Sequence, residues 1–319
     1  MNVLVIGTFN TSRQNRHELH VAQCLNQDFK YSVFKYDYRE YMQKYGSLKA
    51  TIEIENYIKK YSIDLIIIVS GRGLDIGVLN KISNKYKITI INWFHDYFKD
   101  NIHPNAWFKE MCSVCDYSFW TMGDERLRKH YLTKKGDIPF YLPTPPYYYY
   151  FHPIKNIEKK YDVIFLGSPH YQYRIELISY LLNSGLNLHI FGSGWPSLFA
   201  AHKNVYNEKC NEVINQSKVV LNINMEVPYE LCFGDRYFYH MATGIAGVNQ
   251  YGFGIEKLFT DGYDMLVWKT KEECLTQINK LLYDSSYRNK IAEQGYNTYI
   301  EKYTLPQTLT KLLERCGCV

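Results

Sequence analysis

The chain has 319 residues, and 46 % of them are hydrophobic. A chain of this length can form two α/β domains with separate cores, and the hydrophobic content excludes a disordered protein. The formal net charge is +5, with lysine and arginine interspersed among acidic residues. Because the basic residues form no block or stripe, the composition disfavours a nucleic-acid-binding protein.

The sequence shows neither an export signal nor a membrane span. It begins with the strand-like segment Met1–Gly7, without the basic and apolar regions of a secretory signal. Its longest aliphatic run, Leu65–Val69, is too short to cross a bilayer. We therefore expect a cytoplasmic protein with no stable membrane insertion.

The chain contains eight cysteines. In a cytoplasmic protein they should be reduced and mostly buried. Cys112 and Cys115 have the spacing of zinc ligands, but a second pair could come only from Cys316 and Cys318 or from isolated positions. Buried structural thiols are the favoured interpretation.

Strands and helices alternate through the first half of the chain. Short apolar runs predict strands at 2–6, 31–38, 64–70, 87–93, 115–121 and 138–142, and helical spacing predicts helices at about 13–26, 48–61 and 123–135. The run at 64–70 is apolar without alternation, which is typical of a strand covered on both faces of a parallel sheet. This half is therefore expected to be a Rossmann-like domain.

Polar residues follow several of these strands, at the edge where open α/β sheets bind ligands. His95 and Asp96 end the strand at 87–93, and Arg72 lies in a glycine loop after 64–70. His95 is the first candidate for an active-site residue here, with a locally hydrogen-bonded, idle histidine as the alternative. Asp96 either orients His95 or acts as a general base. Arg72 is either a ligand contact or a solvated loop residue.

A segment rich in proline and tyrosine separates the two halves. Pro143-Thr-Pro-Pro146 ends the regular structure, and four consecutive tyrosines precede Phe151. Such a segment is typical of a linker between domains. The tyrosines either stack on a ring of the substrate or, as linker residues more commonly do, pack at the domain boundary.

The second half shows the same alternation of strands and helices as the first. Strands are predicted at 161–166, 188–191 and 218–224, with another beginning near Ile245, and helices at about 171–183, 207–216, 275–282, 287–302 and 305–313. Gly167, Gly192 and Gly194 follow two of these strands and would let a ligand approach the backbone closely. Trp195 either packs beneath that ligand or closes its loop onto the core.

The stretch from Lys218 to Phe259 carries the main functional signal. After its first strand, an amphipathic helix containing Arg236 ends at Gly244. Gly252, Phe253 and Gly254 then precede a helical-looking segment at 255–259. The free N–H groups at the start of such a helix are suited to a phosphate.

These segments resemble the nucleotide-sugar half of GT-B glycosyltransferases. The resemblance is carried by Arg236 to Gly244, by Glu256-Lys-Leu-Phe259 and by Asp261-Gly-Tyr-Asp264-Met-Leu-Val267, followed by an acidic helix at Lys271-Glu-Glu273. The best agreement is with the CgeB-like branch near the retaining glycosyltransferase family 4. It covers most of 160–300 and, more loosely, 1–150.

The resemblance implies an α/β GT-B fold, in which two Rossmann-like domains face each other across a cleft. Residues 1–146 would bind the acceptor, 147–157 would be the linker, and 158–303 would bind the donor. A last helix at about 304–319 would pack back on the first domain. The implied activity is transfer of a sugar from a nucleoside-diphosphate sugar, most simply a UDP-sugar, with retention of configuration.

The resemblance also implies roles for particular residues. Arg174 and Arg236 would hold the donor diphosphate, His95 would contact the sugar, and Gly7 and Thr8 would line the cleft. The alternative for Arg174 is a solvated residue on the surface of its helix. Tyr239 stands where the family has a ribose-binding glutamate. Either Glu230 or Asp235 would then replace that glutamate.

No metal or cofactor is expected, because the sequence lacks the Asp-x-Asp motif of metal-dependent GT-A enzymes and offers arginines instead. The acceptor and the oligomeric state stay open. Three alternatives also stay open: a catalytically impaired nucleotide-sugar-binding protein, a GT-B enzyme that glycosylates a modified DNA base, and an epimerase or phosphorylase of the same architecture.

Overall fold

The computed structural model describes residues 1–9, 17–96, 105–224 and 227–318. Within these residues the chain forms two parallel β-sheets whose strands alternate with helices. The first compact unit holds the described residues up to Thr144 together with the segment from Leu305, and the second runs from Pro145 to Thr304. The predicted α/β fold with two Rossmann-like sheets is confirmed.

The described residues up to Thr144 form six strands and six helices of the first unit. The strands are β1 (Asn2–Gly7), β2 (Ser32–Asp37), β3 (Leu65–Val69), β4 (Thr89–Phe94), β5 (Tyr117–Trp120) and β6 (Phe140–Tyr141). The helices are α1 (His17–Gln27), α2 (Tyr38–Tyr45), α3 (Ser47–Tyr61), α4 (Ile76–Tyr86), α5 (Ala106–Val114) and α6 (Glu125–Arg128). Every residue of β3 is at most 1 % exposed, as its continuous apolar run predicts for a strand covered on both faces.

The second unit contains five strands and five helices. The strands are β7 (Tyr161–Leu166), β8 (Leu188–Phe191), β9 (Ser217–Asn222), β10 (Ala246–Gln250) and β11 (Leu266–Trp268). The helices are α7 (Gln172–Asn183), α8 (Asn207–Asn215), α9 (Arg236–Ala242), α10 (Lys271–Tyr283) and α11 (Ser285–Lys302). The last helix, α12 (Leu305–Arg315), packs against α1 in the first unit. No helix in the described part of the chain is long and apolar enough to cross a membrane.

The two sheets share one topology. Their strand orders are β2-β1-β3-β4-β5-β6 and β8-β7-β9-β10-β11, and all pairs are parallel. In each sheet the chain adds its second strand on one side of the first strand and its third on the other. This reversal leaves a crevice outside the carboxyl ends of the flanking strands, where α/β proteins bind ligands. This switch point lies between β1 and β3 in the first unit and between β7 and β9 in the second.

Two of the predicted helices are wrong. Only the four residues of α6 are helical within 123–135. The guanidinium of Arg128 donates to the carbonyl oxygens of Gly123 and Pro139, so this segment folds back on itself instead of extending a helix. The helix expected at 255–259 is a single 3-10 turn, Ile255–Lys257. One turn aligns few peptide dipoles, so it cannot supply the helix dipole that was expected for a phosphate.

The cysteines are free thiols, and all except the half-buried Cys318 are buried. The Cys112 Sγ lies 3.5 Å from the Ser118 Oγ, and the Cys115 Sγ lies 3.9 Å from the Met111 Sδ. Burial raises the pKa of Cys112 to about 12, despite the hydrogen bond with Ser118. The prediction of reduced, mostly buried thiols is confirmed.

A neutral histidine lies in the core of the second unit. His240 on α9 is 1 % exposed. Its Nδ1 lies 3.1 Å from the Ile245 carbonyl oxygen, and its Nε2 lies 3.3 Å from the Asn249 Nδ2. Gly247 leaves room for the ring, because a Cβ there would lie 2.3 Å from the imidazole. Burial lowers the pKa of His240 from 6.5 to about 4, although its hydrogen bonds to Ile245 and Asn249 oppose this shift.

The buried histidine predicts a loss of stability in mild acid. Since the pKa of His240 is lower in the folded state, the unfolded chain binds more protons between pH 6.5 and pH 4. The contribution of His240 to the free energy of unfolding is fully present above pH 6.5 and should fall by about 2 kcal/mol between pH 7 and pH 5. Urea unfolding at these two pH values measures it.

The His240→Gln variant should lack this pH-dependent contribution, whatever its stability at pH 7. The exposed His130 provides a matched control, so His130→Gln should keep the wild-type pH dependence. An equal loss of stability in the wild type and in His240→Gln would contradict the prediction.

Candidate active site

Arg174 lies at the switch point of the second sheet, on the first turn of α7. Its Nη1 donates to the Ser168 carbonyl oxygen at 2.7 Å, and its Nη2 donates to the Ile223 carbonyl oxygen at 3.1 Å. These two residues follow β7 and β9, so one guanidinium bridges the two strand ends. The side chain is 3 % exposed, and its Nε has no hydrogen-bond partner among the described residues.

Arg236, the first residue of α9, reaches the same strand end. Its half-buried guanidinium donates through Nη1 to the Leu166 carbonyl oxygen at 2.5 Å. A Cβ on Gly167 would lie 2.5 Å from this Nη1. Glycine at 167 therefore leaves the space that the guanidinium occupies.

The two guanidinium groups act on each other electrostatically. Burial, and then the charge of Arg236, lower the pKa of Arg174. Within the described residues neither arginine forms an ion pair with a carboxylate. Two cations without a counter-ion repel each other, and a bound dianion would relieve that repulsion. Guanidinium groups can engage two phosphate oxygens at once, so the pair is suited to a diphosphate.

The loop after β8 packs on the loop after β7. A Cβ on Gly192 would lie 2.0 Å from the Gly167 carbonyl oxygen, and the Trp195 Nε1 donates to that oxygen at 2.8 Å. The Trp195 ring also contacts Phe165 and Phe199, with ring centroids 6.0 and 5.1 Å apart. Of the two interpretations of Trp195, this packing supports the one in which it closes its loop onto the core.

The two candidates for the ribose contact, Asp235 and Glu230, differ in their surroundings, and Tyr239 lies beside Asp235. Tyr239 is 3 % exposed and stacks on Phe151 with ring centroids 4.4 Å apart. Its hydroxyl donates to the Asp235 Oδ2 at 2.5 Å. Glu230 forms an ion pair with Lys257 at 2.5 Å. The half-buried Asp235 carboxylate is thus held by a phenol, and the Glu230 carboxylate is neutralised by an ammonium group.

The segment Gly252-Phe253-Gly254 packs on the loop that precedes α9. The Phe253 carbonyl oxygen accepts from the Leu231 N at 2.7 Å. Gly254 has a φ of 84°, and a Cβ there would lie 2.7 Å from the Glu230 Cγ. Its backbone conformation and its close packing both require glycine at position 254, so the presence of glycine there is explained without a bound ligand.

Two carboxylates from other elements, Glu18 on α1 and Asp37 at the end of β2, lie against the loop after β1. A Cβ on Gly7 would lie 2.2 Å from the Glu18 Cγ, and the Thr8 N donates to the Glu18 Oε1 at 3.4 Å. The Phe9 N donates to the Asp37 Oδ2 at 2.7 Å. An anion at these amides would compete with two carboxylates, so the geometry disfavours Gly7 and Thr8 as diphosphate contacts.

His95 lies among aromatic rings at the end of β4. It makes edge-to-face contacts with Trp93 and His17, at centroid distances of 4.9 and 5.3 Å. The exposed Asp96 carboxylate lies 3.7 Å from the Arg72 Nη2, so Arg72 is not simply a solvated loop residue. His17, Arg72, His95 and Asp96 thus gather at the carboxyl edge of the first sheet. His17 was not predicted as a site residue, because its place depends on where α1 begins.

Three further buried polar residues, of which Asn222 is bonded to the Arg236 carbonyl, were not predicted. Asn222, Asn249 and His240 are at most 3 % exposed and are joined by hydrogen bonds. Their spacing along the chain carries no known pattern. In the described part of the chain, no three histidine, cysteine or acidic side chains are grouped to hold a metal ion.

Comparisons with known proteins agree with this architecture. Residues 174–314 match the family model described as "Glycosyl transferase-like". No curated protein matches the sequence. Three solved structures superimpose over almost the whole chain: sucrose-phosphate synthase from Thermosynechococcus elongatus (TM-score 0.68, 11 % identity, 99 % of each chain), Anabaena HepE in complex with UDP-glucose (0.69, 10 %, 100 % of each chain) and a glycosyltransferase from Rickettsia africae (0.69, 13 %, 98 % of this chain and 97 % of that chain).

The likeness to solved structures shows the fold, and the family model shows which segment is similar to glycosyl transferases. The matched segment begins at Arg174 and includes Arg236, so both cations of the site lie within it. The chain therefore has the GT-B fold of these solved glycosyltransferase structures, and its segment 174–314 is similar to the glycosyl transferase-like family.

Proposed function

We propose that this protein moves a sugar from a nucleoside-diphosphate sugar, with UDP as the nucleotide, to an acceptor hydroxyl. The observation that carries the proposal is the pair Arg174 and Arg236, held at the β7 and β9 strand ends without a carboxylate partner in the described residues. The structure of HepE was solved in complex with UDP-glucose, which supports the choice of nucleotide.

The two arginines would act mainly on the leaving group. During transfer, the bond between the anomeric carbon and the diphosphate oxygen breaks, and negative charge grows on the diphosphate. The acceptor oxygen forms the new bond to the anomeric carbon, and its proton passes to the departing diphosphate. Cations that are already fixed in place stabilise the developing charge without reorganising, and this lowers the barrier. We propose that these side chains neutralise the diphosphate without a metal ion or cofactor.

The finer assignments rest on the sequence resemblance. We propose a retaining enzyme of the CgeB-like, family 4-like group, with residues 158–303 binding the donor and residues 1–146 binding the acceptor. In the first unit, His95 with Asp96 and Arg72 supports an acceptor role, since their polar side chains meet at the carboxyl edge of the sheet. The chemical nature of the acceptor is left open.

Replacing either arginine should weaken nucleotide binding. Arg236→Ala and Arg174→Ala should each raise the Kd for UDP at least about tenfold, because each removes a charged hydrogen-bond donor from the diphosphate site. Hydrolysis or transfer of UDP-glucose should fall about a hundredfold or more. Calorimetric titration with UDP and an assay of UDP release measure the two effects. A thermal-shift screen of nucleoside diphosphates first confirms the nucleotide.

Arg288 offers a matched control in the same unit. Its Nη1 donates to the Leu281 carbonyl oxygen at 2.8 Å, away from the switch point, so Arg288→Ala should bind UDP like the wild type. Wild-type UDP binding in both Arg174→Ala and Arg236→Ala, with the fold retained, would refute the proposed site.

We also propose that Asp235, and not Glu230, takes the place of the missing ribose-binding glutamate. The Tyr239 hydroxyl fixes the Asp235 carboxylate, whereas Glu230 is paired with Lys257. Asp235→Asn should therefore weaken binding of UDP by about tenfold and binding of 2′-deoxy-UDP much less. Glu230→Gln should weaken both ligands equally and slightly. The assignment would be wrong if Glu230→Gln, and not Asp235→Asn, removed the discrimination between the two nucleotides.

A further inference from the structure

Two buried carboxamides pair across the strands that lead to Arg236. Asn222 ends β9 and stands opposite Asn249 of β10 in the sheet register. They are 3 % and 0 % exposed. The Asn222 Nδ2 donates to the Asn249 Oδ1 at 2.7 Å. Such groups are costly to bury unless they are hydrogen-bonded, so this pair fixes both side chains.

His240 determines which atom donates and which accepts in the hydrogen bonds that join it to Asn249 and join Asn249 to Asn222. The Ile245 carbonyl oxygen can only accept, so the His240 Nδ1 carries the proton and donates to it. The neutral Nε2 must then accept from the Asn249 Nδ2, which turns the Asn249 Oδ1 toward Asn222. One N–H of the Asn222 side-chain amide donates to this Asn249 oxygen. The same Nδ2 also donates to the Arg236 carbonyl oxygen at 3.3 Å.

Arg236 is consequently attached at both ends. Its main-chain carbonyl is bonded to the side chain of Asn222 on β9, and its guanidinium is bonded to the Leu166 carbonyl on β7. These strands are neighbours in the sheet, so the bonds span the switch point. Rotating either carboxamide by half a turn would place two donors or two acceptors against each other. Asn222, Asn249 and His240 therefore have one arrangement in which all of these hydrogen bonds form.

We propose that Asn222, oriented by Asn249 and His240, is a positioning residue that fixes Arg236 for contact with the donor diphosphate. This inference rests on the proposed function, because it needs Arg236 to bind the nucleotide. It assigns to three core residues a role in substrate binding beyond the stability of the sheet.

A double-mutant cycle tests the proposal. Asn222→Leu keeps the approximate shape and neutrality of the side chain but cannot donate to the Arg236 carbonyl. It should raise the Kd for UDP about tenfold in the wild-type background and less than about twofold in the Arg236→Ala background. The titrations are made well below the thermal midpoint of each variant, so that every protein is folded.

Asn215 supplies a matched control. It is 2 % exposed in the same unit, and its Nδ2 donates to the His152 carbonyl oxygen at 3.0 Å. Asn215→Leu should lower the thermal midpoint as Asn222→Leu does, but should leave UDP affinity unchanged. If Asn222→Leu does not fold, Asn249→Ala replaces it, since it removes the partner that orients Asn222. Its effect on UDP affinity should likewise disappear in the Arg236→Ala background.

The outcomes separate this inference from the proposed function. If Arg236→Ala weakens UDP binding but Asn222→Leu or its substitute does not, the positioning role is wrong and the proposed function stands. An equal effect of the Asn222 variant with and without Arg236 would also overturn the positioning role. If Arg236→Ala itself leaves UDP affinity unchanged, the proposed diphosphate site fails, and this inference fails with it.

Discussion

The proposed diphosphate site in the second unit depends on two guanidinium groups, Arg174 and Arg236, that are both held by main-chain carbonyl oxygens. Carboxylates would be the simplest partners for Arg174 and Arg236, but they would cancel the charge that an anion needs. The carbonyls of Leu166, Ser168 and Ile223 accept hydrogen bonds without bringing a negative charge. They offset part of the desolvation cost and leave the cationic character of the site intact. Glycine at 167 leaves room for the Arg236 guanidinium, and glycine at 192 leaves room for the Gly167 carbonyl group.

The two sheets have the same strand order and opposite electrostatics after their first strand. In the first unit, the amides of Thr8 and Phe9 face the carboxylates of Glu18 and Asp37. In the second unit, the corresponding strand end is surrounded by two guanidinium groups. One topology therefore produces an edge that repels phosphate and an edge that attracts it. This difference supports a division in which only the second unit holds the nucleotide.

The strands of both sheets were predictable because apolar runs are local in sequence, and β3 and β7 lie close to their expected bounds. Arg174 and Arg236 could be singled out because they follow glycine loops or begin a helix in a recognisable segment. Asn222, Asn249 and His240 could not, since their contact depends on the register of β9 and β10. The helix expected at 123–135 was wrong because contacts of Arg128 outweigh local helical preference. The placement of Glu18 against Gly7 likewise depends on tertiary packing.

The membership of α12 in the first unit makes that unit discontinuous in the chain. Residues 145–304 form the second unit without interruption, whereas the first unit needs both the N-terminal segment and the helix that starts at Leu305. During synthesis, the second unit can therefore be completed before the first, although it is encoded later. The surface of α1 that receives α12 stays uncovered until the segment that begins at Leu305 has been synthesised, and apolar surface that is exposed for a time during folding is prone to aggregation.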